Sequence, residues 1–199
     1  MSTVILFPSQ GLHANAFAGT ARAILDEFYN AGGGPGGTAF QTNVTRISTG
    51  NFSVSFSRPS WAKGKGDFWD AVSAASTFVM LSHSASDGPI LNHDHTEDES
   101  RDELDRFWQP WRREGNTLNA DGVSFWRKVG QQGRTNTARI ALLGCDTASV
   151  YGPLVAKVAN SDVFGYLHSC QAANHKVQIP QLKKIEKDEV PGGMKRVTP

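Results

Sequence analysis

Thr77-Phe78-Val79-Met80-Leu81 is a five-residue, mostly apolar run ending in Ser82-His83-Ser84, and Ile140-Ala141-Leu142-Leu143 is a second ending in Gly144-Cys145-Asp146-Thr147-Ala148. A strand with one wet face alternates apolar and polar residues, whereas an unbroken apolar run suits a strand buried on both faces. Val4-Ile5-Leu6-Phe7 and Val163-Phe164-Gly165-Tyr166-Leu167 are runs of the same kind. Amphipathic helices lie between them. Phe17, Ala21, Ile24, Leu25 and Phe28 recur at helical spacing after the first run, and Tyr151, Leu154, Val155 and Val158 do so after Leu143. Asp67 is placed to cap a further helix carrying Phe68, Ala71, Val72 and Ala75 on one side. Short buried strands separated by such helices predict an α/β three-layer sandwich with a mainly parallel central sheet.

The rest of the chain is arranged around that frame. Val44 to Ile47 and then Phe52, Val54 and Phe56 alternate with polar residues, as a strand or hairpin with one wet face would. An excursion at about 84–138 holds an acidic stretch, Asp94 to Asp105, overlapping a helix-like set of Leu104, Phe107, Trp108 and Trp111 that Pro110 should kink or end. A second short helix from Asp121 would present Val123, Trp126 and Val129 to the core. After Leu167 the pattern fades through Lys183 to Glu189 into Pro191-Gly192-Gly193, which reads as a last strand plus a loose end. No internal repeat or long linker divides the chain, so the expectation is one domain over residues 1–199.

Composition excludes several function classes. Twenty Lys and Arg against nineteen Asp and Glu leave a net charge of +1, which gives no global reason to expect a nucleic-acid or anionic-membrane partner. No apolar run approaches the roughly 20 residues of a membrane span, and Val4 to Phe7 is too early and too short for a secretory signal. The chain therefore reads as intracellular, with a cytoplasmic location expected. Two cysteines, Cys145 and Cys170, make no disulfide framework for a domain of this size, so each is judged by its own setting.

In open parallel sheets the reactive site lies beyond the carboxyl ends of the strands. If the strands ending at Leu81 and Leu143 are neighbours, His83 and Cys145 stand together there as an imidazole beside a thiol. A thiol with an unperturbed pKa of about 8.5 attacks carbonyls as the thiolate, which a nearby imidazolium favours. His83 would then carry the proton to the leaving amine. A strand-to-helix turn would also bring Cys145 near the free N–H groups of the following helix, able to stabilise a thiolate or an oxyanion.

The segments Phe78-Val79-Met80-Leu81-Ser82-His83 and Leu142-Leu143-Gly144-Cys145-Asp146-Thr147-Ala148 resemble the caspase-like (clan CD) cysteine peptidase superfamily, especially its bacterial caspase-like and separase-like branches. In that superfamily one strand ends in the catalytic His and the next in a small residue, Cys, any residue, Ser or Thr and a small residue. The resemblance covers roughly Val4 to Leu167 in element order and these two segments in letters. It implies His83 as the base, Cys145 as the nucleophile, and the amides of Cys145 and Ser84 as the oxyanion hole. The separation, 145 − 83 = 62 residues, exceeds the caspase spacing of about 50 by an amount that fits an inserted helix. Ser84 stands where the family usually has Gly, and its side chain either crowds the oxyanion site or points away.

Other residues compete for roles. His168 and Cys170 follow the run ending at Leu167, so His168 is a rival base or a pocket residue, and Cys170 could pair with Cys145 in a redox-sensitive disulfide. Asp146 and His168 are the candidates for the substrate pocket, with Asp87, Arg46 and Arg58 as further charged residues able to select a side chain. His93-Asp94-His95 with Glu97, Asp98 and Glu99 has no metal-motif spacing and reads as a solvated acidic loop. Because some members of the superfamily are calcium-activated, it is also where a regulatory calcium would bind. No other cofactor and no metal centre is expected. Trp108, Trp111 and Trp126 read as closing a small secondary core, and Gly32 to Gly37 lacks the Gly-Lys-Ser/Thr of a phosphate loop. The expected function is a cysteine endopeptidase working on a peptide or protein through a Cys–His dyad and an acyl-enzyme. The alternatives are an inactive binding or scaffold domain of the same fold, and a thiol acyl-transferase or amidase.

Overall fold

The computed structural model describes residues 2–11, 13–48, 51–91, 109–132 and 139–199. Its strands and helices run β1 (Ser2–Pro8), α1 (Ala14–Ile24, continued by a π-helical turn Leu25–Tyr29), β2 (Gly37–Ser48), β3 (Asn51–Ser57), α2 (Phe68–Ser73), β4 (Ala75–Leu81), β5 (His83–Ala85) and β6 (Gly88–Ile90). They continue with β7 (Arg113–Glu114), β8 (Thr117–Leu118), α3 (Ala120–Gln132), β9 (Arg139–Leu143), α4 (Tyr151–Ala159), β10 (Asp162–Tyr166), α5 (His175–Ile185) and β11 (Met194–Val197). Seven strands form one sheet in the order β11-β10-β9-β4-β1-β2-β3. The five central strands are parallel, and β3 and β11 close the edges antiparallel.

The apolar runs are unbroken because both faces of the sheet are covered. Val4, Leu6, Phe78, Met80, Ile140 and Leu142 face one layer, where α2, α3 and α4 contribute Val72, Trp126, Val129, Tyr151 and Val155. Ile5, Phe7, Val79, Leu81, Ala141 and Leu143 face the other, where α1 and α5 contribute Phe17, Ala21, Ile24, Leu182 and Ile185. This is the predicted three-layer sandwich. Fully burying one such large apolar side chain stabilises the fold by about 1.5–3 kcal/mol, so the two layers dominate its stability. Asp67 caps α2 as expected: its carboxylate accepts from Asp70 N–H while Asp70 accepts from the Asp67 backbone, a reciprocal capping box.

The connections fix where a site can form. From β1 the chain crosses over α1 to β2 on one side of the sheet. From β4 it crosses over α3 to β9 on the other side, past the opposite face. The crevice between the carboxyl ends of β1 and β4 is therefore the point where the winding reverses, the usual position for a ligand in an open parallel sheet.

Two expectations need correcting. The last strand expected after Leu167 is present as β11, paired with β10, but the region is no loose end: Asn174 caps α5 through its side chain, and Leu182 and Ile185 are fully buried. Arg139 at the start of β9 secures the turn beyond α5 with a 2.9 Å bond to Asp188, and Arg196 of β11 pairs with Asp162. Trp111 and Trp126 do not form a secondary core but belong to the main layer beneath β4 and β9. Trp111 stacks on Phe125 at 3.6 Å and accepts a 2.7 Å bond from the Tyr151 hydroxyl, contacts that hold it at φ +63°. The acidic stretch, the helix-like set through Trp108 and the His93–Glu99 cluster lie outside the described residues, as does the side chain of Arg46.

Candidate active site

β4 and β9 are adjacent and parallel, with Leu81 opposite Leu143 in register. His83 and Cys145 thus each stand two residues beyond a paired position, on strands about 4.8 Å apart. The tips touch through the residues between them. A Cβ placed on Gly144 would lie 2.0 Å from Ser84 Oγ and 2.6 Å from Ser84 Cβ, so glycine at 144 is what allows Ser84 to pack there. The side chain of Ser84 is therefore packed on Gly144, with its hydroxyl 3.3 Å from that of Ser82.

Beyond Gly144 the chain makes a tight turn, not an immediate helix. Asp146 adopts a left-handed conformation, φ +53°, which Asp tolerates better than most residues. The buried Thr147 hydroxyl donates toward the carbonyls of Leu142 and Gly144 and accepts from Tyr166 N–H, tying the turn to β9 and β10. α4 begins only at Tyr151, with Pro153 in its first turn, where proline needs no hydrogen-bonded N–H. The expectation that Cys145 sits at a helix N-terminus is thus overturned. The amides of Asp146 and Ala148 are also committed, to the carbonyls of His168 and Tyr166.

The group that meets the Cys145 sulfur is Cys170, four residues past the end of β10. Cys170 N–H donates to Cys145 Sγ at 3.2 Å, the two sulfurs are 3.8 Å apart, and Cys170 O lies 3.5 Å from the same sulfur. Both cysteines are free thiols, well beyond the bond length of about 2.05 Å. Among the described residues these are the hydrogen-bond contacts of the Cys145 sulfur, and no imidazole is among them. Thiol–imidazole pairs commonly close only when substrate is bound. Burial pushes the Cys170 thiol far above its ordinary value, and the adjoining Cys145 sulfur adds to the shift. Cys170 is accordingly a poor nucleophile near neutral pH.

His83 opens the β5–β6 hairpin opposite Ile90 and lies against α1. Its Nε2 is 2.7 Å from His13 Nδ1, and Phe17 meets the ring edge-on at 5.0 Å. His13 was missed in the sequence although a signal existed. The strand-end rule that selected His83 and Cys145 selects the loop after β1 equally well.

The remaining candidates fare differently. His168 is exposed and meets the site through its backbone, accepting from Asp146 N–H at 3.4 Å; half-buried Asp146 lies beside it. Arg58 is committed elsewhere, donating to the carbonyls of Lys63, Lys65 and Gly66 and lying 4.4 Å over the Phe40 ring, so it is structural. Asp87 accepts from Arg113 N–H through its carbonyl and borders a small cavity with Gln109 and Arg112. No group of three or more His, Cys, Asp or Glu among the described residues is placed to hold a metal ion. No helix among them is long and apolar enough to cross a membrane.

The environment of Cys170 sets an alkaline limit on stability. Burial also pushes the Tyr166 hydroxyl, hydrogen-bonded to Gln178, up to about 12. Groups whose folded pKa is raised stabilise fully below their unfolded pKa, and that contribution is lost as pH rises through the folded value. The unfolded chain releases the Cys170 proton near 9.0 and the Tyr166 proton near 10.0, while the folded chain retains both. Urea midpoints should therefore hold up to about pH 9 and fall steadily from there to about pH 12, less steeply in Cys170→Ala. Midpoints unchanged over that range would show that neither proton is retained by folding.

No known family profile matches the chain, and no curated protein matches it in sequence. Solved structures similar to it include iotapain, a secreted C11 cysteine protease from Bacteroides thetaiotaomicron. That structure is 8% identical with a TM-score of 0.43, the match covering 86% of this chain and 53% of the protease. A secreted C11 cysteine protease from the same organism, in complex with an irreversible peptide inhibitor, is 11% identical with a TM-score of 0.43, covering 91% and 53%. An inactive zymogen C11 protease from Parabacteroides distasonis is 10% identical with a TM-score of 0.33, covering 87% and 50%. The chain spans about half the length of these proteases.

Proposed function

We propose that the chain is a cysteine hydrolase that cleaves peptide bonds through Cys145 and His83. The observation that carries this reading is the juxtaposition of the two strand tips, Leu81 in register with Leu143 and Ser84 packed on Gly144, beside the crevice where the sheet's winding reverses.

The chemistry follows from the two groups. His83 accepts the Cys145 proton, and the thiolate attacks the carbonyl carbon of the substrate. The C–N bond then breaks as imidazolium His83 gives its proton to the departing amine, leaving a thioester on Cys145. Water adds to the thioester, His83 takes a proton from it, and the carboxylic product leaves as that proton returns to the sulfur. Cys170 N–H donates to the Cys145 sulfur and holds it in place. The amides of Cys145 and Ser84 are the proposed oxyanion donors. Asp146 and His168, adjoining Cys145, are the proposed residues of the substrate pocket.

Incubation with a diverse peptide mixture, followed by mass spectrometry, tests the reading. The wild-type chain should yield cuts sharing a preferred side chain, and Cys145→Ala should yield none. Cuts that persist in Cys145→Ala, or none by the wild type under reducing conditions, would refute it.

A further inference from the structure

We propose that His13 is a positioning residue for His83, accepting a hydrogen bond from His83 Nε2–H and so fixing the tautomer whose lone pair lies on Nδ1. The inference rests on the reading of His83 as the base. It goes beyond that reading by stating which ring nitrogen takes the thiol proton and what holds it ready.

The distance is the first argument. His13 Nδ1 and His83 Nε2 are 2.7 Å apart, a hydrogen-bond separation. A shared metal ion does not fit, because two nitrogens each about 2.0–2.1 Å from one zinc stand farther apart at tetrahedral angles. One proton therefore lies between the rings, and it has two arrangements. If His13 donates, His83 uses its Nε2 lone pair as acceptor and carries its own proton on Nδ1, and neither nitrogen can then take a proton from a thiol. If His83 donates, its lone pair lies on Nδ1 and the ring is a base. Only the second arrangement agrees with proton transfer from Cys145.

The second argument is what happens when that proton arrives. On protonation at Nδ1, His83 becomes an imidazolium whose Nε2–H still points at His13, and the bond becomes charge-assisted. His13 thus stabilises the state in which His83 holds the thiol's proton. A third group that orients a base commonly does this with a carboxylate or amide; here a neutral imidazole would serve. His13 stands at the N-cap of α1. The His13 side chain makes no capping bond to α1, so its ring is not engaged in ending the helix.

The third argument is mechanical. Phe17, buried one turn further along α1, contacts the His83 ring edge-on with an interplanar angle of 83°. α1 therefore grips His83 at two points, Nε2 and the ring edge. Because α1 follows β1 and His83 follows β4, the grip spans the crevice between those strands.

The test compares His13→Phe, which keeps an aromatic ring without an acceptor, with His13→Gln, whose amide oxygen accepts. On a peptide that the wild type cleaves, His13→Phe should lower kcat about 10- to 100-fold, part of the 10²–10⁴-fold typical of general acid–base catalysis, with KM changed less than about threefold. His13→Gln should recover most of the loss. His13 is exposed, so both variants should melt close to the wild type. Wild-type kcat in His13→Phe would overturn the proposal and leave the peptidase reading intact. A second arm needs no turnover: ¹⁵N spectra of His83 in Cys145→Ala should show a protonated Nε2 and an unprotonated Nδ1, with mixed tautomers once His13→Phe is added. If no peptide is cleaved by the wild type, this arm alone decides, and a protonated Nδ1 on neutral His83 overturns the proposal.

Discussion

Gly144→Ala is expected to lower peptide cleavage about 100-fold or more, because its methyl group has no room between the two strand tips. The added Cβ would stand 2.0 Å from Ser84 Oγ, 2.6 Å from Ser84 Cβ and 2.9 Å from the Ser82 carbonyl oxygen. The Ser84 hydroxyl can rotate away, but Ser84 Cβ and the Ser82 carbonyl oxygen cannot, so the tips must separate. A displacement near 1 Å in a reacting pair costs on the order of 100-fold. The double variant Gly144→Ala with Ser84→Gly removes the two shortest clashes while keeping the Ser84 amide position, and should recover at least about tenfold. Kinetics of the single and double variants measure the coupling directly. If Gly144→Ala cleaves peptides like the wild type, the contact between the tips is not what sets the catalytic geometry.

The largest effect on stability is expected at a glycine far from the site. Gly130, near the end of α3, is buried against the last turn of α4, and a Cβ there would lie 1.8 Å from the Ala159 carbonyl oxygen and 2.7 Å from its Cα. Helix propensity alone favours Gly130→Ala by about 1 kcal/mol. The clash opposes it with backbone atoms that cannot rotate away, and overpacking of this kind costs about 3 kcal/mol or more. The net change is destabilising by about 2 kcal/mol, or roughly 4–8 °C in melting temperature for a chain of this length. A melting temperature raised by the substitution would mean that α3 and α4 are not packed this closely.

Much of the frame was legible because burial on both faces leaves a direct mark. The runs at Val4 to Phe7, Phe78 to Leu81 and Ile140 to Leu143 form central strands, the run Val163 to Leu167 does so up to Tyr166, and Asp67 caps a helix where its side chain says it should. The pairing of the strands ending at Leu81 and Leu143 was a supposition that the register bears out. Periodicity could not show α5, because Pro180 and six polar or basic residues dilute an apolar face that tertiary packing supplies instead. Nor could it show that Asp146 and Thr147 delay the start of α4, since a left-handed residue and a buried hydroxyl are matters of local geometry.

The site was legible in part for the same reason. His83 and Cys145 follow two neighbouring strands and could be found from the strand ends alone. Cys170 beside Cys145 and His13 beside His83 depend on which loops fold over the carboxyl edge, and those residues are 25 and 70 positions from their partners. A charged residue such as Arg58 looked equally suited to recognition in the sequence. Its three carbonyl partners show that it braces the loop after β3.

The central claim is that Cys145, with His83 as its base, is the reactive sulfur of this fold. Its most direct measurement is the rate at which a peptidyl chloromethyl ketone alkylates each cysteine at neutral pH, followed by mass spectrometry in wild type and in His83→Ala. The account predicts that Cys145 is modified at least tenfold faster than Cys170 and that His83→Ala slows the modification of Cys145 by about tenfold or more. Equal rates at the two cysteines, or a Cys145 rate unchanged by His83→Ala, would contradict it.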